Sequence, residues 1–204
     1  MRGAIEPPLL EITIGQALEE AAERWGDADA LVSVAQGIRW SWRELARRAD
    51  ALAAGLLAVG LEPGDRIGIW SPNCAEWALA QFATARIGLI LTTINPAYRT
   101  SELEFTVNKV GMKALIAAQR FKSSDYVSML ESIHAPALQH KIGIGGVPRA
   151  GWFAFDDISS MAAATEVDHV REIAARLDCR NAVNIQFTSG TTGQPKGAAY
   201  SGRS

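Results

Sequence analysis

Cysteine is scarce in this chain. Cys74 and Cys179 lie far apart with no Cys-x-x-Cys spacing, and His134, His140 and His169 form no ligand pattern with them. That scarcity excludes a disulfide framework and a zinc site of recognisable spacing. No charge sign dominates either: 20 Lys and Arg against 22 Asp and Glu leave a net charge of −2, scattered along the chain, so there is no basic field to attract nucleic acid. Long hydrophobic runs are also missing. The longest apolar stretch, residues 77–94, is broken by Gln81, Arg86 and Gly88 and changes period midway, which argues against a membrane span. The opening residues MRGAIEPPLLEITIG place Glu6, Pro7, Pro8 and Glu11 where a secretory signal needs an unbroken apolar core, so a cytoplasmic, reducing location is expected. No internal repeat and no low-complexity segment occurs. What is there is 204 residues, 48% hydrophobic and 21% charged, with a mean hydropathy of +0.03: the composition of a soluble globular chain able to bury a core.

The apolar pattern alternates between strand and helix periods. ALVSVAQGIRWSW reads as two short strands around Gln36-Gly37. Ser41 and Glu44 have capping-box spacing, and Leu45, Ala49, Leu52, Leu56 and Val59 follow as one helix face that Gly60 ends. Pro63-Gly64 marks a turn into the strand RIGIW; Asn73 and Glu76 repeat the capping spacing before a helix around Trp77, Ala80 and Ile87, and residues 89–94 form an apolar strand after Gly88. Ser101 and Glu104 predict a third capped helix through Leu103, Val107 and Val110, ended by Gly111 and followed by the strand KALIA. Beyond residue 118 the pattern predicts a helix over 123–133, a strand over 141–144, a loop at GIGGVPRAG and two short helices in FDDISSM and EVDHVREIAARL. The second carries Val167, Val170, Ile173, Ala174 and Leu177 on one face, and the strand AVNIQF follows it. Apolar strands alternating with helices predict an α/β fold: a mostly parallel sheet flanked by helices, with an N-terminal β-hairpin.

That last strand runs into TSGTTGQPKG. A strand ending in a loop of glycines and hydroxyl residues gathers backbone N–H groups into a nest that binds anions, phosphates above all. Glycine is needed where backbone comes close to the ligand. The hydroxyls of Thr188, Ser189, Thr191 and Thr192 add donors, Lys196 brings a mobile positive charge suited to a β- or γ-phosphate, and Pro195 stiffens the turn before it. This is no Walker A loop, because Pro195 precedes the lysine and Gly197 follows it. The plain alternative is a glycine- and threonine-rich surface turn with a solvated lysine.

Residues 187–197 resemble, at every position, the AMP-binding signature of the acyl-activating, adenylate-forming superfamily: an aromatic residue followed by T-S-G-[ST]-T-G-x-P-K-G. The stretches WSWRELARRADALAAGLLAVGLEPGDRIGIWSPNCAEW and GLILTTINPAYRTSELEFTVNKVGMKALI resemble the early part of fatty acyl-CoA synthetases, particularly the medium-chain type; the likeness covers residues 12–204 and is weak across 120–177. The resemblance implies a two-step ligation. A carboxylate attacks the α-phosphate of Mg-ATP to give acyl-AMP and pyrophosphate, and the CoA thiol then displaces AMP. It further implies that Thr188, Ser189, Gly190, Thr191, Thr192, Gly193 and Lys196 hold the phosphates, with Lys196 as the catalytic cation on the leaving group, and that ATP, Mg²⁺, CoA and a fatty acid are the small-molecule partners.

The family's aromatic-Thr-Glu motif, its ribose-binding aspartate, its hinge and the lysine of its mobile C-terminal domain have no counterpart in these 204 residues. The expectation is therefore that residues 1–204 are a truncated N-terminal part of an AMP-binding domain, inactive and poorly soluble alone, with a possible complementing C-terminal portion. The alternative is a non-catalytic nucleotide-phosphate-binding module or a gene remnant. An aryl- or amino-acid-activating relative is disfavoured by NPAYRTSELEF. Gly202 stands where acyl-CoA synthetases usually have histidine, which bears on the acyl-side wall. The six tryptophans read as core, the Arg47-Arg48 pair as a solvated helix face and the three histidines as surface or loop residues. Residues 94–102 read as structural, with Tyr98 and Arg99 as candidate contacts.

Overall fold

The computed structural model describes residues 10–146, 149–188 and 196–202. It opens on a helix that the pattern above had not marked, α1 (Ile14–Trp25). Its signal is the pair Thr13 and Gln16: the Gln16 N–H donates to Thr13 Oγ1 (3.1 Å) and the Thr13 N–H donates to Gln16 Oε1 (2.8 Å). The expected hairpin follows as β1 (Asp29–Ser33) and β2 (Ile38–Ser41), paired antiparallel across a 3-10 turn at Val34–Gln36. Ser41 then caps α2 (Trp42–Ala58), accepting the Glu44 N–H at 3.2 Å. The Glu44 carboxylate does not close the box. It takes hydrogen bonds from Arg47 and Arg48, and these hold it below the ordinary carboxylate pKa.

Next come β3 (Arg66–Trp70), α3 (Ala75–Arg86), β4 (Ile90–Thr93), α4 (Thr100–Val110) and β5 (Ala114–Ala117). Two caps differ from expectation. Cys74, not Asn73, occupies the N-cap of α3, and the Ala75 N–H donates instead to Gln36 Oε1 (2.8 Å), brought in from the hairpin turn. At α4 the Arg99 N–H donates to Glu102 Oε2 (2.7 Å), so the helix starts earlier than the Ser101–Glu104 spacing implied. The chain then folds back as a minute hairpin, β6 (Arg120–Phe121) with β7 (Ser124–Asp125), which shortens the expected helix to α5 (Tyr126–Ser132). β8 (His140–Gly143), an unforeseen β9 (Trp152–Ala154), α6 (Phe155–Ile158), α7 (Ala164–Ala174), β10 (Ala182–Thr188) and β11 (Lys196–Ser201) complete the described elements.

Seven strands form one sheet in the order β11-β10-β4-β3-β5-β8-β9, parallel except for β11. This is the expected α/β architecture. Residues of the central strands alternate between two cores. Ile67, Ile69, Leu91, Ala114 and Ile116 point to the face covered by α1, α2, α3 and α7, while Trp70, Leu115 and Ala117 point to the face covered by α4 and α5. RIGIW is thus buried on both faces, as expected of a strand in a parallel sheet covered by helices on both sides.

Of the tryptophans, Trp70 and Trp152 are core; Trp25, at 49% exposure, is not. His140 sits in β8 against Phe153 (ring centroids 6.0 Å apart), not in a loop, and burial lowers its pKa. Arg48 also departs from a purely solvated face, lying 4.7 Å from the Trp40 ring centroid.

Candidate functional site

Parallel α/β sheets bind ligands beyond the carboxyl ends of their strands, at a point where successive connections leave on opposite faces. Here β3 continues into α3 on one face, whereas its neighbours β4 and β5 continue into α4 and α5 on the other. The crevice so defined, above Trp70, is filled. The Trp70 indole stacks on Tyr126 with ring centroids 3.5 Å apart and planes 8° from parallel, and its Nε1–H donates to the Asn95 carbonyl at 3.1 Å. Tyr126 Oη–H donates to the Pro96 carbonyl at 2.5 Å, and burial pushes the phenol pKa up to about 12.

Two strands along, the sheet edge carries the candidate residues. β10 pairs in parallel with β4 (Gln186 level with Thr93) and antiparallel with β11 (Thr188 level with Lys196). Thr188 therefore ends one strand and Lys196 begins the next, directly opposite, with their side chains on one face of the hairpin. Both are exposed, and among the described residues no carboxylate pairs with Lys196. Ser189, Gly190, Thr191, Thr192 and Gly193 lie outside the described residues.

Strand period divides the hairpin chemically. Asn184, Gln186, Thr188 and Lys196 share one face, and Ile185 and Phe187 share the other with Gly197 and Ala199. A Cβ on Gly197 would lie 3.3 Å from Phe187 Cζ and 3.4 Å from Ile185 Cγ2, so the absent side chain lets the Phe187 ring lie across the strand and fixes the start of β11 beside Thr188. Gly202 is similarly constrained. A Cβ there would sit 3.2 Å from the Cys179 carbonyl oxygen, so a histidine at 202 needs that turn to shift.

The candidates at 98 and 99 lie between β4 and α4, not on this hairpin. Tyr98 is half-buried at the start of α4, its phenol pKa raised by burial and by Glu102; Arg99 is exposed and donates from Nη1 to Ser124 Oγ (3.2 Å). Those contacts are structural. β11 itself had no strand signal, because Lys-Gly-Ala-Ala is poor in strand formers and only the pairing with β10 extends it.

Among the described residues no group of three or more His, Cys, Asp or Glu could hold a metal ion, and no helix is long and apolar enough to cross a membrane. What the arrangement offers is a cation and a hydroxyl at the end of a rigid hairpin, suited to a polyanion.

Comparison with known proteins gives the family: residues 18–204 match the AMP-binding enzymes. The chain belongs to that family. As a member of the AMP-binding enzymes it is 37% identical over 216 residues to the medium-chain acyl-CoA ligase ACSF2, mitochondrial, of Danio rerio, covering 98% of this chain and 36% of that protein. The fold is shared with the anthranilate CoA ligase AuaEII solved with anthranoyl-AMP, at a TM-score of 0.83 and 24% identity over 99% of this chain and 37% of that one. It is shared too with MbtA of Mycobacterium smegmatis, at a TM-score of 0.80 and 27% identity over 96% of this chain and 34% of that one. This AMP-binding chain thus spans about a third of the length of the relatives it matches.

Proposed function

We propose that this chain supplies the phosphate-holding half of an ATP-dependent ligase that joins a fatty acid to CoA through an acyl-AMP intermediate. The observation that carries the proposal is the juxtaposition of Thr188 and Lys196 across the β10–β11 hairpin, in a member of the AMP-binding enzymes. In the first step a carboxylate oxygen bonds to the α-phosphorus of ATP and the bond to the β-phosphate bridging oxygen breaks, releasing pyrophosphate. Negative charge develops on that leaving group. In this reading Lys196 would offset it and Thr188 would donate a hydrogen bond, a role supported by their pairing across the hairpin. In the second step the CoA sulfur bonds to the acyl carbon and AMP departs. Ser189, Gly190, Thr191, Thr192 and Gly193 would complete the phosphate contacts. Mg²⁺ would enter on the nucleotide; the described residues offer it no carboxylate cluster.

Turnover is proposed to need a further polypeptide portion. The relatives extend well beyond the length matched here, and the outer edge of β11 pairs with no other strand among the described residues. A reducing, cytoplasmic setting would suit the two free cysteines. The test is calorimetric titration of the 204-residue chain with ATP and with pyrophosphate, alongside ATP–pyrophosphate exchange with octanoate and laurate. Binding weakened about tenfold or more by Lys196→Ala is expected, with no exchange by the chain alone. Equal binding by wild type and Lys196→Ala, or none by either, refutes the phosphate assignment. Exchange by the chain alone refutes the need for a further portion.

A further inference from the structure

The segment between β4 and α4, residues 95–99, forms a shelf at the carboxyl edge of the sheet. β4 lies beside β10 and their pairing ends at Thr93 with Gln186, so the shelf leaves the sheet just beyond that pair, on the strand next to the one that runs on to Thr188. Hydrogen bonds to it and within it hold it. Trp70 Nε1 donates to the Asn95 carbonyl, Tyr126 Oη to the Pro96 carbonyl, and the Ala97 N–H to Asn95 Oδ1 at 2.9 Å. The first two donors are the two stacked rings that plug the crevice above β3. Both donors are fully buried and would be costly unpaired; both are satisfied by carbonyls of the same short segment.

We infer that Trp70 and Tyr126 are positioning residues for the phosphate site: by filling the crevice above β3 they exclude ligand from it, and by clamping residues 95–99 they present a fixed wall beside Thr188 and Lys196 against which a nucleotide's pyrophosphate moiety sits. The inference rests on the proposed phosphate role of the hairpin. A shelf held in place before binding spares the ordering cost that a mobile wall would exact on every ligand.

The test uses the 204-residue chain and inorganic pyrophosphate as the probe, with Tyr126→Phe and Trp70→Phe. Each keeps a ring and removes one hydrogen bond to the shelf. Calorimetric Kd for pyrophosphate is expected to rise about fivefold in each variant, the worth of one hydrogen bond, and amide exchange across residues 95–99 to accelerate relative to wild type. A purely structural role would lower the melting temperature and leave Kd unchanged, and that outcome overturns the inference. If Lys196→Ala weakens pyrophosphate binding while both ring variants bind as wild type, the clamp fails and the phosphate assignment stands. If wild type does not bind pyrophosphate at all, both fail together.

Discussion

Replacing Arg86 with methionine tests the packing of the three helices that back the sheet. Arg86 ends α3 with its side chain only 3% exposed, donating from Nε to Asp50 Oδ1 of α2 at 2.7 Å and from Nη1 to Glu19 of α1. Burial alone would lower the guanidinium pKa, but the hydrogen bonds and charges of Asp50 and Glu19 outweigh it, and the net shift is upward. Methionine preserves most of the volume and removes the charge. Breaking a buried pair by deleting one partner costs about 3–5 kcal/mol. Two features place this case near the lower end. Glu19 is 51% exposed and can return to water, and Asp50, at 23%, can do so in part. We expect a loss of about 3 kcal/mol, equivalent to about 6–12 °C in melting temperature for a chain of this size. Urea denaturation followed by circular dichroism should show a lower midpoint at unchanged slope. The double variant Arg86→Met/Asp50→Leu should recover part of the loss, since no uncompensated carboxylate then remains at the α2 contact. A single variant within about 0.5 kcal/mol of wild type, the range of an ordinary surface substitution, would refute the idea that this network locks α1, α2 and α3 together.

Two further outcomes follow from particular contacts. Gly55 lies in α2 where a Cβ would fall inside the Ile158 carbonyl group of α6, so Gly55→Ala should destabilise by about 1–3 kcal/mol despite the gain of about 1 kcal/mol in helix propensity; an increase in urea midpoint would contradict the close approach. His140 has its pKa lowered by burial in β8. The unfolded chain therefore binds its proton first as pH falls, and the contribution to stability, present above the unfolded value, is lost from about pH 6.5 downward. Urea midpoints between pH 7 and pH 5 should fall more steeply for wild type than for His140→Gln, and parallel pH profiles would refute the assignment.

Much of the fold was legible because its signals are local. The faces of α2 and α4, the glycine stops at Gly88 and Gly111, and the strands β3, β4, β5 and β10 follow from period and turn chemistry alone. What escaped depended on distant partners. The N-terminus of α3 is capped by Gln36, 39 positions away from Ala75, and β11 is a strand only because β10 pairs with it. The missed α1 is different. Thr13 and Gln16 announce it locally, through a capping pair just after a stretch rich in acidic and proline residues. At the site, the motif marked Thr188 and Lys196, but nothing in a linear pattern links Trp70 and Tyr126 to residues 95 and 96. Those contacts arise from strand order.

Strand order also bears on where the proposed phosphate-binding chemistry would sit. In a sheet whose connections diverge at β3, the ready-made crevice lies above that strand, yet two aromatic rings and two directed hydrogen bonds close it. Closing it leaves the next carboxyl edge, that of β4 and β10, to carry the proposed ligand. Among the described residues no helix N-terminus stands at this strand end to supply converging N–H groups; the next described element after β10 is its antiparallel partner β11. A hairpin end lacks a macrodipole, so its attraction for a polyanion has to come from side-chain charge, loop amides and hydroxyls. That requirement accounts for a lysine at the first position of β11, where pairing with Thr188 holds its backbone, and for Gly197 immediately after it, where the Phe187 ring fixes the return strand. An arginine at 196 should serve less well than its charge suggests, because its planar, preorganised fork seeks two oxygens in one plane, whereas a flexible ammonium can follow the pyrophosphate as it leaves. If Lys196→Arg kept full affinity for ATP and for pyrophosphate alike, charge alone would be sufficient, and the flexibility assigned to this lysine would be unnecessary.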